Sequence, residues 1–474
     1  MNSNSRLLPF TAIVLAMLPA VLDQTILATA LPVVARDLGA LNDVAWVVTA
    51  YVVAAAAATP LWGKLGDRHG RKRLLEITLG IFVASSALCG AAQDITQLVA
   101  VRFVQGVAAG GLMTLAMASV GDLVAPRERG RYQAYIAATF ALATIVGPLL
   151  GGLLTEHASW RWVFFVNLPL GVAALAGLRI HLPAPDTERP DRPLDVTGSA
   201  LLAGATGAFM LTCIWGGQRY AWSSAPIVVL VLATLVLSVA LLLNERRAAD
   251  PIVPFHLLRM RPVAVASATL FLSLAALFAV TVFVPLFLQV TTGATPIQAG
   301  LLLVPAMLAI TVSTTVSGRL MAKTGRYKRF PIAGLGLMTV GLVLLAAFAS
   351  HPSRFATGVA LVVFGLGFGM VTQILIVAVQ NSVEPRELGI ATAVTGFFRA
   401  LGGAVGAAVL GAVFASQGDV IHGVQTVFLV AAPVAALAML VVLLLPEVPL
   451  KTQSAPSRPR GNNAPRLATS VKGG

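Results

Sequence analysis

Long apolar runs recur along the whole chain, and they constrain its fold more than any other feature. A helix needs roughly 20 mostly apolar residues to cross the hydrocarbon of a bilayer. Cutting the 474-residue sequence at charges and Pro/Gly clusters leaves 14 runs of about that length. With 57% hydrophobic and 11% charged residues, the chain has too little polar surface to cover a soluble globule. The sequence therefore predicts an all-α polytopic membrane protein with 14 transmembrane helices.

The predicted spans form three groups. Six run from about 9 to 34, 44 to 65, 74 to 92, 97 to 120, 133 to 155 and 162 to 180. Two more run from about 196 to 215 and 226 to 243, and the last six from about 263 to 290, 297 to 320, 331 to 349, 356 to 379, 390 to 415 and 424 to 445. A cleaved signal peptide is the alternative for the first span, because Arg6 precedes it and the ATA at 28–30 imitates a cleavage site. Asp23 interrupts that run and argues against cleavage.

The basic residues are distributed unevenly between the connections. The formal net charge of +14 would indicate nucleic-acid binding in a soluble protein. Here 27 of the 33 Lys and Arg residues fall in segments that are cytoplasmic if the N-terminus is inside, and four fall in outside connections. Cytoplasmic loops of membrane proteins collect such residues during insertion. We therefore predict a plasma (inner) membrane protein with both termini in the cytoplasm and no nucleic-acid partner.

Two sequence segments recur in the second half of the chain. GKLGDRHGRKR at 63 has a counterpart in GRLMAKTGRYKR at 318, and VAPRERGRYQA at 124 has one in VEPRELGIATA at 383. Such repeats predict two six-helix pseudo-repeat bundles. The predicted domains are an N-terminal half at 1–181, a transmembrane hairpin with cytoplasmic linkers at 182–261, a C-terminal half at 262–446 and a disordered cytoplasmic tail at 447–474.

The segment Gly63–Arg73 combines spaced glycines with six charged residues, of which Asp67 is the single acid. Its glycines permit close helix approach, and Asp67 can accept hydrogen bonds from an Arg or a helix N-terminus in one state only. Arg68, Arg71 and Arg73 can bind acidic partners or lipid headgroups. A basic turn that only sets topology is the alternative. The predicted gating residues are Gly63, Gly66, Asp67, Arg68, Gly70 and Arg71. Ala322 stands where Asp67 would be in the second half, so we expect asymmetric gating.

Three charged residues lie five or more residues inside predicted spans. Asp23 is well inside the first span, where a charge costs at least a few kcal/mol. It can exchange a proton across the membrane or bind a cationic substrate, and a protonated Asp bonded to a neighbouring helix is the alternative. Arg102 is near enough to a span end to snorkel, or it can bond backbone carbonyls around the first span. Arg399 lies roughly 15 Å deep, so we expect a buried acid or a hydrated cavity near it.

Five glutamines can bind a ligand through uncharged hydrogen bonds. Hydrogen bonding between helices is the alternative role for each of them. They are Gln24, Gln105, Gln133, Gln289 and Gln373.

Motifs for catalysis or nucleotide binding are missing from the sequence. The six histidines are scattered without an HExxH pattern, and no GxxxxGK[ST] occurs. Cys89 and Cys213 lie in apolar runs and suggest neither a disulfide framework nor a metal site. We predict no enzymatic activity, no metal and no cofactor, with the proton gradient as the energy source.

Five motifs together are similar to those of one family. GKLGDRHGRKR resembles the signature loop of the major facilitator superfamily, and RFVQGVAAGG at 102 resembles its fourth-span motif. GPLLGG at 147 resembles the fifth-span motif of the drug:proton antiporters of this superfamily. LDQTILATALP at 22 and WRWVFFVNLPLG at 160 are similar to motifs of its fourteen-span drug-resistance branch, which includes quaternary-ammonium and multidrug exporters. The resemblance covers about residues 11–445.

The resemblance implies roles for individual residues. Asp67 would be the gating acid, and Arg102 a buried cation tied to proton exchange. Gly147, Pro148, Gly151 and Gly152 would form the kink of the fifth span that favours export. Ordinary packing of small residues is the alternative for each glycine.

The resemblance and the charges together predict proton-coupled efflux of lipophilic small molecules, such as drugs or antibiotics, by alternating access. A single deep carboxyl favours monovalent cations or neutral compounds over dications. A specific exporter of a metabolite or lipid is the alternative, followed by an uptake symporter or a membrane-embedded sensor. The expected partners are the substrate, protons and membrane lipids, and the monomer is the expected working unit.

Overall fold

Helices make up nearly all of the folded chain. The computed structural model describes residues 3–38, 43–183, 195–217, 219–248, 250–252, 254–292, 303–349 and 353–450. Within those ranges, 14 helices are long and apolar enough to cross a membrane, as the sequence predicts. They are α1 Leu7–Asp37, α2 Ala45–His69, α3 Arg71–Ala91, α4 Ile95–Leu123, α5 Pro126–His157, α6 Trp162–His181, α7 Val196–Trp215, α8 Ala225–Arg247, α9 Arg261–Thr291, α10 Val304–Thr324, α11 Arg329–Ala349, α12 Arg354–Ser382, α13 Pro385–Ala415 and α14 Val420–Val442.

The two six-helix bundles predicted from the repeats are present, and they share one packing scheme. In the first bundle α1 packs on α5 and α6, α2 packs on α4, and α3 packs on α4 and α6. The second bundle repeats these pairs, because α9 packs on α13 and α14, α10 packs on α12, and α11 packs on α12 and α14. Each bundle has its own buried apolar core. The sequence repeat is therefore a structural repeat.

The hairpin of α7 and α8 covers the seam between the two bundles. Val53 and Ala56 of α2, Met210 of α7, and Ala404 and Ala408 of α13 form a small buried cluster there. α8 packs mainly on α7, and most of its large apolar side chains are exposed. Apolar side chains exposed in this way are suited to contact lipid. The hairpin is thus an addition to the bundles and contributes little to either core.

Two segments that the sequence places in loops are helical. α2 continues to His69 and α3 begins at Arg71, so Gly70 alone interrupts the helix in the Gly63–Arg73 segment. Gly70 has φ 87°, a backbone conformation that glycine adopts without the Cβ clash of other residues. α5 begins at Pro126, where a missing N–H costs nothing because the first helical N–H has no partner in the helix.

The predicted disordered tail begins too early. The backbone N–H of Val448 donates to the Tyr327 hydroxyl at 3.1 Å, and that hydroxyl donates to the carbonyl oxygen of Pro446 at 2.7 Å. Burial raises the pKa of Tyr327 above its ordinary value. Leu450 is also buried. Residues 447–450 are therefore docked against the second bundle, and the prediction of disorder is wrong for them. The rest of the predicted tail and most of the first linker, 184–194, lie outside the described residues.

The two halves meet closely at the end of the molecule that carries Gly63–Arg73. We call this end the basic end. There α5 packs on α10, and a Cβ added at Gly318 would collide with the backbone of Gly130. Arg127 Nε also donates to the carbonyl oxygen of Ala322 at 2.8 Å. Glycines at such a crossing let two helix backbones approach closely.

A row of side chains along one face of α1, here called the stripe, changes from buried near the basic end to exposed near the opposite end of the molecule. Ile13 and Met17 of this stripe are buried toward the basic end. Gln24, Ala28 and Pro32 continue the same stripe toward the opposite end and are exposed, because residues three or four apart share a helix face. From this change along one helix face we infer that the two halves part toward the opposite end, and we call the space between them there the cavity.

We predict that Gly318→Leu destabilises the protein, because the leucine would force α5 and α10 apart at their closest point. The matched control is Gly358→Leu, since a Cβ at Gly358 meets no atom within 4 Å. Thermal unfolding of the purified variants in detergent should show a clear drop in Tm for Gly318→Leu only. Equal Tm values for the two variants would contradict this packing.

Candidate functional site

Asp23 and Arg102 form a buried ion pair in the first bundle. Arg102 Nη1 lies 2.5 Å from Asp23 Oδ2. Asp23 is 2% exposed and Arg102 is 1% exposed. Removing two charges from water costs several kcal/mol per ion, and only their attraction and further hydrogen bonds offset that cost. The surroundings of the pair therefore decide whether it is stable.

A hydrogen-bond network from four helices surrounds Asp23. Gln105 Nε2 and Asn167 Nδ2 donate to Asp23 Oδ1 at 3.1 and 3.2 Å. Arg102 Nη1 donates to Gln105 Oε1 at 2.8 Å, and Asn167 also donates to the Ser86 hydroxyl at 3.0 Å. Sequence reasoning missed Asn167 and Ser86 as members of this site. The signal was available, since Asn167 is an amide within the apolar WRWVFFVNLPLG motif.

Tyr51 of α2 packs against the ion pair and contacts α1. The Arg102 guanidinium carbon lies 4.1 Å from the centre of the Tyr51 ring, a cation–π contact. Arg102 Nε also donates to the carbonyl oxygen of Val47 at 3.1 Å, so the carbonyl it finds belongs to α2 and not to the first span. The Tyr51 hydroxyl donates to the carbonyl oxygen of Ala20 at 3.4 Å, one turn before Gln24 of α1, whose side chain is exposed. Tyr51 therefore contacts both the Arg102 guanidinium and the turn of α1 that leads to Gln24.

The four residues predicted to kink the fifth span divide into two pairs. A Cβ at Gly147 or Gly151 would collide with the hydroxyls of Thr25 and Thr29, so these glycines allow α5 to lie against α1. Pro148 is exposed, and a Cβ at Gly152 meets no atom within 4 Å. The helix continues through Pro148. Gly147 and Gly151 thus fix the helix that carries Asp23 against its neighbour.

Asp67 joins the two halves at the basic end. Its Oδ1 accepts from the backbone N–H of Gly389 at 2.9 Å, and its Oδ2 accepts from that of Ile390 at 2.8 Å. These donors lie in the first turn of the α-helical part of α13, where a carboxylate also interacts favourably with the helix dipole. Arg71 Nη2 donates to the same carboxylate at 2.5 Å. The contacts are those that the sequence predicts for Asp67, and we call them the latch.

The other predicted gating residues support the latch. A Cβ at Gly63 would collide with Gly389 and Ala393, and one at Gly66 would meet the Leu115 side chain. Arg68 Nη1 lies 3.8 Å from Asp250 Oδ2, in the segment that follows the hairpin. Lys64 pairs with the same carboxylate.

Arg71 differs from the expectation that it binds lipid headgroups or external acidic partners. It is 8% exposed and pairs with Asp122 in addition to Asp67. Its guanidinium also donates to the carbonyl oxygens of Ala118 and Pro385 at 3.3 and 3.4 Å. Because these groups occupy the side chain, Arg71 is an internal part of the latch.

Arg129 and Gln380 form a further contact between the halves that sequence reasoning missed. Arg129 Nη1 donates to Gln380 Oε1 at 3.3 Å, and Gln380 Nε2 donates to the carbonyl oxygen of Met117 at 3.3 Å. Both side chains are buried. A sequence signal was available, because the recurring Pro-Arg-Glu lies close in sequence to both residues. It also places α5 and α13 at equivalent positions of the two halves.

Arg399 and three glutamines do not join the Asp23 network. Arg399 is half-buried, and no carboxylate of the described residues lies within ion-pair distance of it. The buried acid expected beside it is therefore not found there. Gln133 is buried with both amide atoms unpartnered, and Gln373 Oε1 is likewise unpartnered. Gln289 is half-buried in α9.

We predict that Arg102→Leu lowers the free energy of unfolding by about 3–5 kcal/mol, because it leaves the Asp23 charge buried without its partner. Asp23→Leu combined with Arg102→Leu should recover most of that loss, since no buried charge then remains. Thermal and denaturant unfolding of the purified proteins measure both values. A double variant that is less stable than Arg102→Leu would contradict this account of the pair.

Known proteins resemble the chain in sequence along most of its length. Residues 13–407 match the family model of the Major Facilitator Superfamily. An uncharacterized transporter of this type from Mycobacterium tuberculosis is 38% identical over 85% of this chain and 59% of that protein. The chain thus spans about three fifths of the length of that relative. The multidrug transporter protein MdtP of Bacillus subtilis is 33% identical over 87% of this chain and 76% of that protein. Multidrug resistance protein 3 of the same organism is 32% identical, with 85% and 78% covered.

Solved structures resemble the fold. The human organic anion transporter MFSD10 superimposes with a TM-score of 0.69 at 18% identity, over 93% of this chain and 100% of that one. A XylE mutant with two introduced tryptophans gives a TM-score of 0.69 at 15% identity. At such identities the likeness concerns the fold alone. From the family match and the sequence relatives, the chain belongs to the major facilitator superfamily, and the 14 long apolar helices of its described residues make it a multi-pass membrane protein.

Proposed function

We propose that the protein exports lipophilic small molecules, such as drugs, in exchange for protons. The observation that carries the proposal is the buried Asp23–Arg102 pair, against which Tyr51 packs while it also contacts the turn of α1 that leads to the exposed Gln24. Relatives at 32–33% identity that are named as multidrug proteins support efflux of such compounds. Both halves of the cavity come from one chain, so a monomer is the proposed working unit.

Protonation of Asp23 is the proposed coupling step. A neutral carboxyl no longer attracts the Arg102 guanidinium, which keeps its contacts to Val47 and Tyr51 in α2. α1 then loses its strongest attachment to α4, while its packing against α5 remains. Because α1 also carries Gln24, the loss changes the cavity wall. One proton that crosses a potential of 100 mV supplies about 2.3 kcal/mol to this cycle.

The latch is the proposed gate for alternating access. We take the basic end to be cytoplasmic, because basic residues concentrate in its connections. The closed latch and the open opposite end then correspond to an outward-open state. Opening toward the cytoplasm requires Asp67 to leave the N-terminus of α13, so the same residue controls access on each cycle.

We predict that Asp23→Asn abolishes proton-driven accumulation of lipophilic dyes in inside-out vesicles, because Asn cannot take up the proton. A cationic, a neutral and an anionic dye are tested in parallel at matched expression. The matched control is Glu156→Gln, an exposed carboxyl near the opposite end of α5, which should transport like the parent. Dye exchange without a proton gradient should survive in Asp23→Asn.

Two results would contradict the coupling proposal. Asp23→Asn that accumulates dye like the parent would show that another group couples transport. A parent that moves dye only in right-side-out vesicles would indicate uptake in place of export.

We predict that Asp67→Asn opens the basic end, because it removes the charge that binds the first turn of α13 and Arg71. Asp419→Asn is the matched control, since Asp419 accepts from the N–H groups of Ile421 and His422 within α14 only. A cysteine introduced as Thr59→Cys, beside Gly396 in the interface between the halves, reports opening by its reaction with a polar maleimide. Labelling should rise several-fold with Asp67→Asn and remain unchanged with Asp419→Asn. Unchanged labelling with Asp67→Asn would refute the latch.

A further inference from the structure

Arg399 is a charge in the middle of the protein without a counter-charge. It lies eleven residues after Leu388, the first residue of the α-helical part of α13, which places it about 16 Å into the helix. No described residue forms an ion pair or hydrogen bond with it, and an Arg side chain stays protonated in proteins. An uncompensated charge at that depth requires water or an anionic partner.

The position of Arg399 on α13 directs it into the cavity. Gly402 and Gly406 pack against the backbone of α9, at Phe271 and Ala275. Gly389 and Ala393 pack against α2 in the latch. Arg399 lies on the strip between these two contact faces, one turn from Gly403. A Cβ at Gly403 would meet no heavy atom within 4 Å, so this strip borders open space, which we assign to the cavity because it lies between the faces of α13 that contact α2 and α9.

Arg399 also determines the net charge that a substrate meets. The other charged side chains in the middle of the described spans are Asp23 and Arg102, which neutralise each other behind the cavity wall. Rigid rocking of the two halves does not bring Asp23 to Arg399, since Asp23 faces the interior of its own bundle. The cavity therefore presents one positive charge, and its other contributions are uncharged groups such as Gln24.

We propose that Arg399 binds a carboxylate or sulfonate on an otherwise apolar substrate. This proposal rests on the export function proposed above. The site thus selects lipophilic monoanions and disfavours cations. This reverses the charge preference that the sequence predicts. The reason is that Arg102 already neutralises Asp23, so that carboxylate offers no free charge to a cation.

Three pyrene probes that differ only in their end group test the proposal. They are 1-pyrenebutyrate, the neutral 1-pyrenebutanol and a pyrenebutyl trimethylammonium salt. Pyrene accepts excitation energy from tryptophan, and the chain has six tryptophans, so binding to the purified full-length protein is read from energy transfer. The parent should bind pyrenebutyrate about tenfold or more tightly than pyrenebutanol, and the trimethylammonium probe most weakly.

Variants assign this preference to one residue. Arg399→Gln should lose the tenfold preference for pyrenebutyrate, and Arg399→Lys should keep most of it. Arg36→Gln, which removes an exposed Arg at the open end of α1, should bind like the parent. A parent without preference for the anion, or an Arg399→Gln protein that retains it, overturns the proposal. If Arg399→Gln does not fold, the parent probe series and Arg399→Lys still decide the matter.

Transport of the same probes separates this inference from the proposed function. Energised inside-out vesicles containing the parent should accumulate pyrenebutyrate and not the trimethylammonium probe. Vesicles that accumulate none of the probes would refute export, while the binding preference would still support or overturn the role of Arg399. Accumulation of the cation in preference to the anion would overturn the role of Arg399 and leave export standing.

Discussion

A charge in the middle of a membrane-spanning helix must be neutralised or hydrated, and the Asp23–Arg102 pair shows how this chain meets that constraint. One guanidinium, two amides and an aromatic ring surround a single carboxylate. These groups come from α1, α2, α4 and α6, so the pair determines how four helices of the first bundle lie together. We therefore expect a change of charge at the pair, such as protonation of Asp23, to alter the contacts among all four helices.

The latch uses the same chemistry for a different purpose. Asp67 is held by Arg71 within its own half and by two backbone N–H groups of α13 in the other half. Arg71 therefore binds Asp67 within one half, whereas the two bonds to α13 join the halves. The second half has Ala322 at the equivalent position, so it supplies a helix N-terminus and no acid. Asymmetric gating, which the sequence predicts from this difference, stays a prediction.

Much of this arrangement could be predicted from the sequence, because apolar length and charge are local properties. They indicate 14 spans, the two halves and the importance of Asp23, Asp67 and Arg102. Partners of a buried charge depend on tertiary packing, which explains why Asn167, Ser86 and Gln380 were missed. The same limit applies to Arg399, since only the packing around α13 shows that no acid of the described residues pairs with it. The end of the last half was also misplaced, because the docking of residues 447–450 depends on Tyr327.

Infrared difference spectroscopy of the purified protein between neutral and acidic pH tests the central role of Asp23 most directly. The carbonyl stretch of a protonated carboxyl in an apolar environment is resolved from that of carboxyls in water. The parent should gain such a band as the pH falls, and the band should be missing from Asp23→Asn. It should persist in Glu156→Gln. Identical difference spectra for the parent and Asp23→Asn would contradict the account, because Asp23 would then not be the group that takes up the proton.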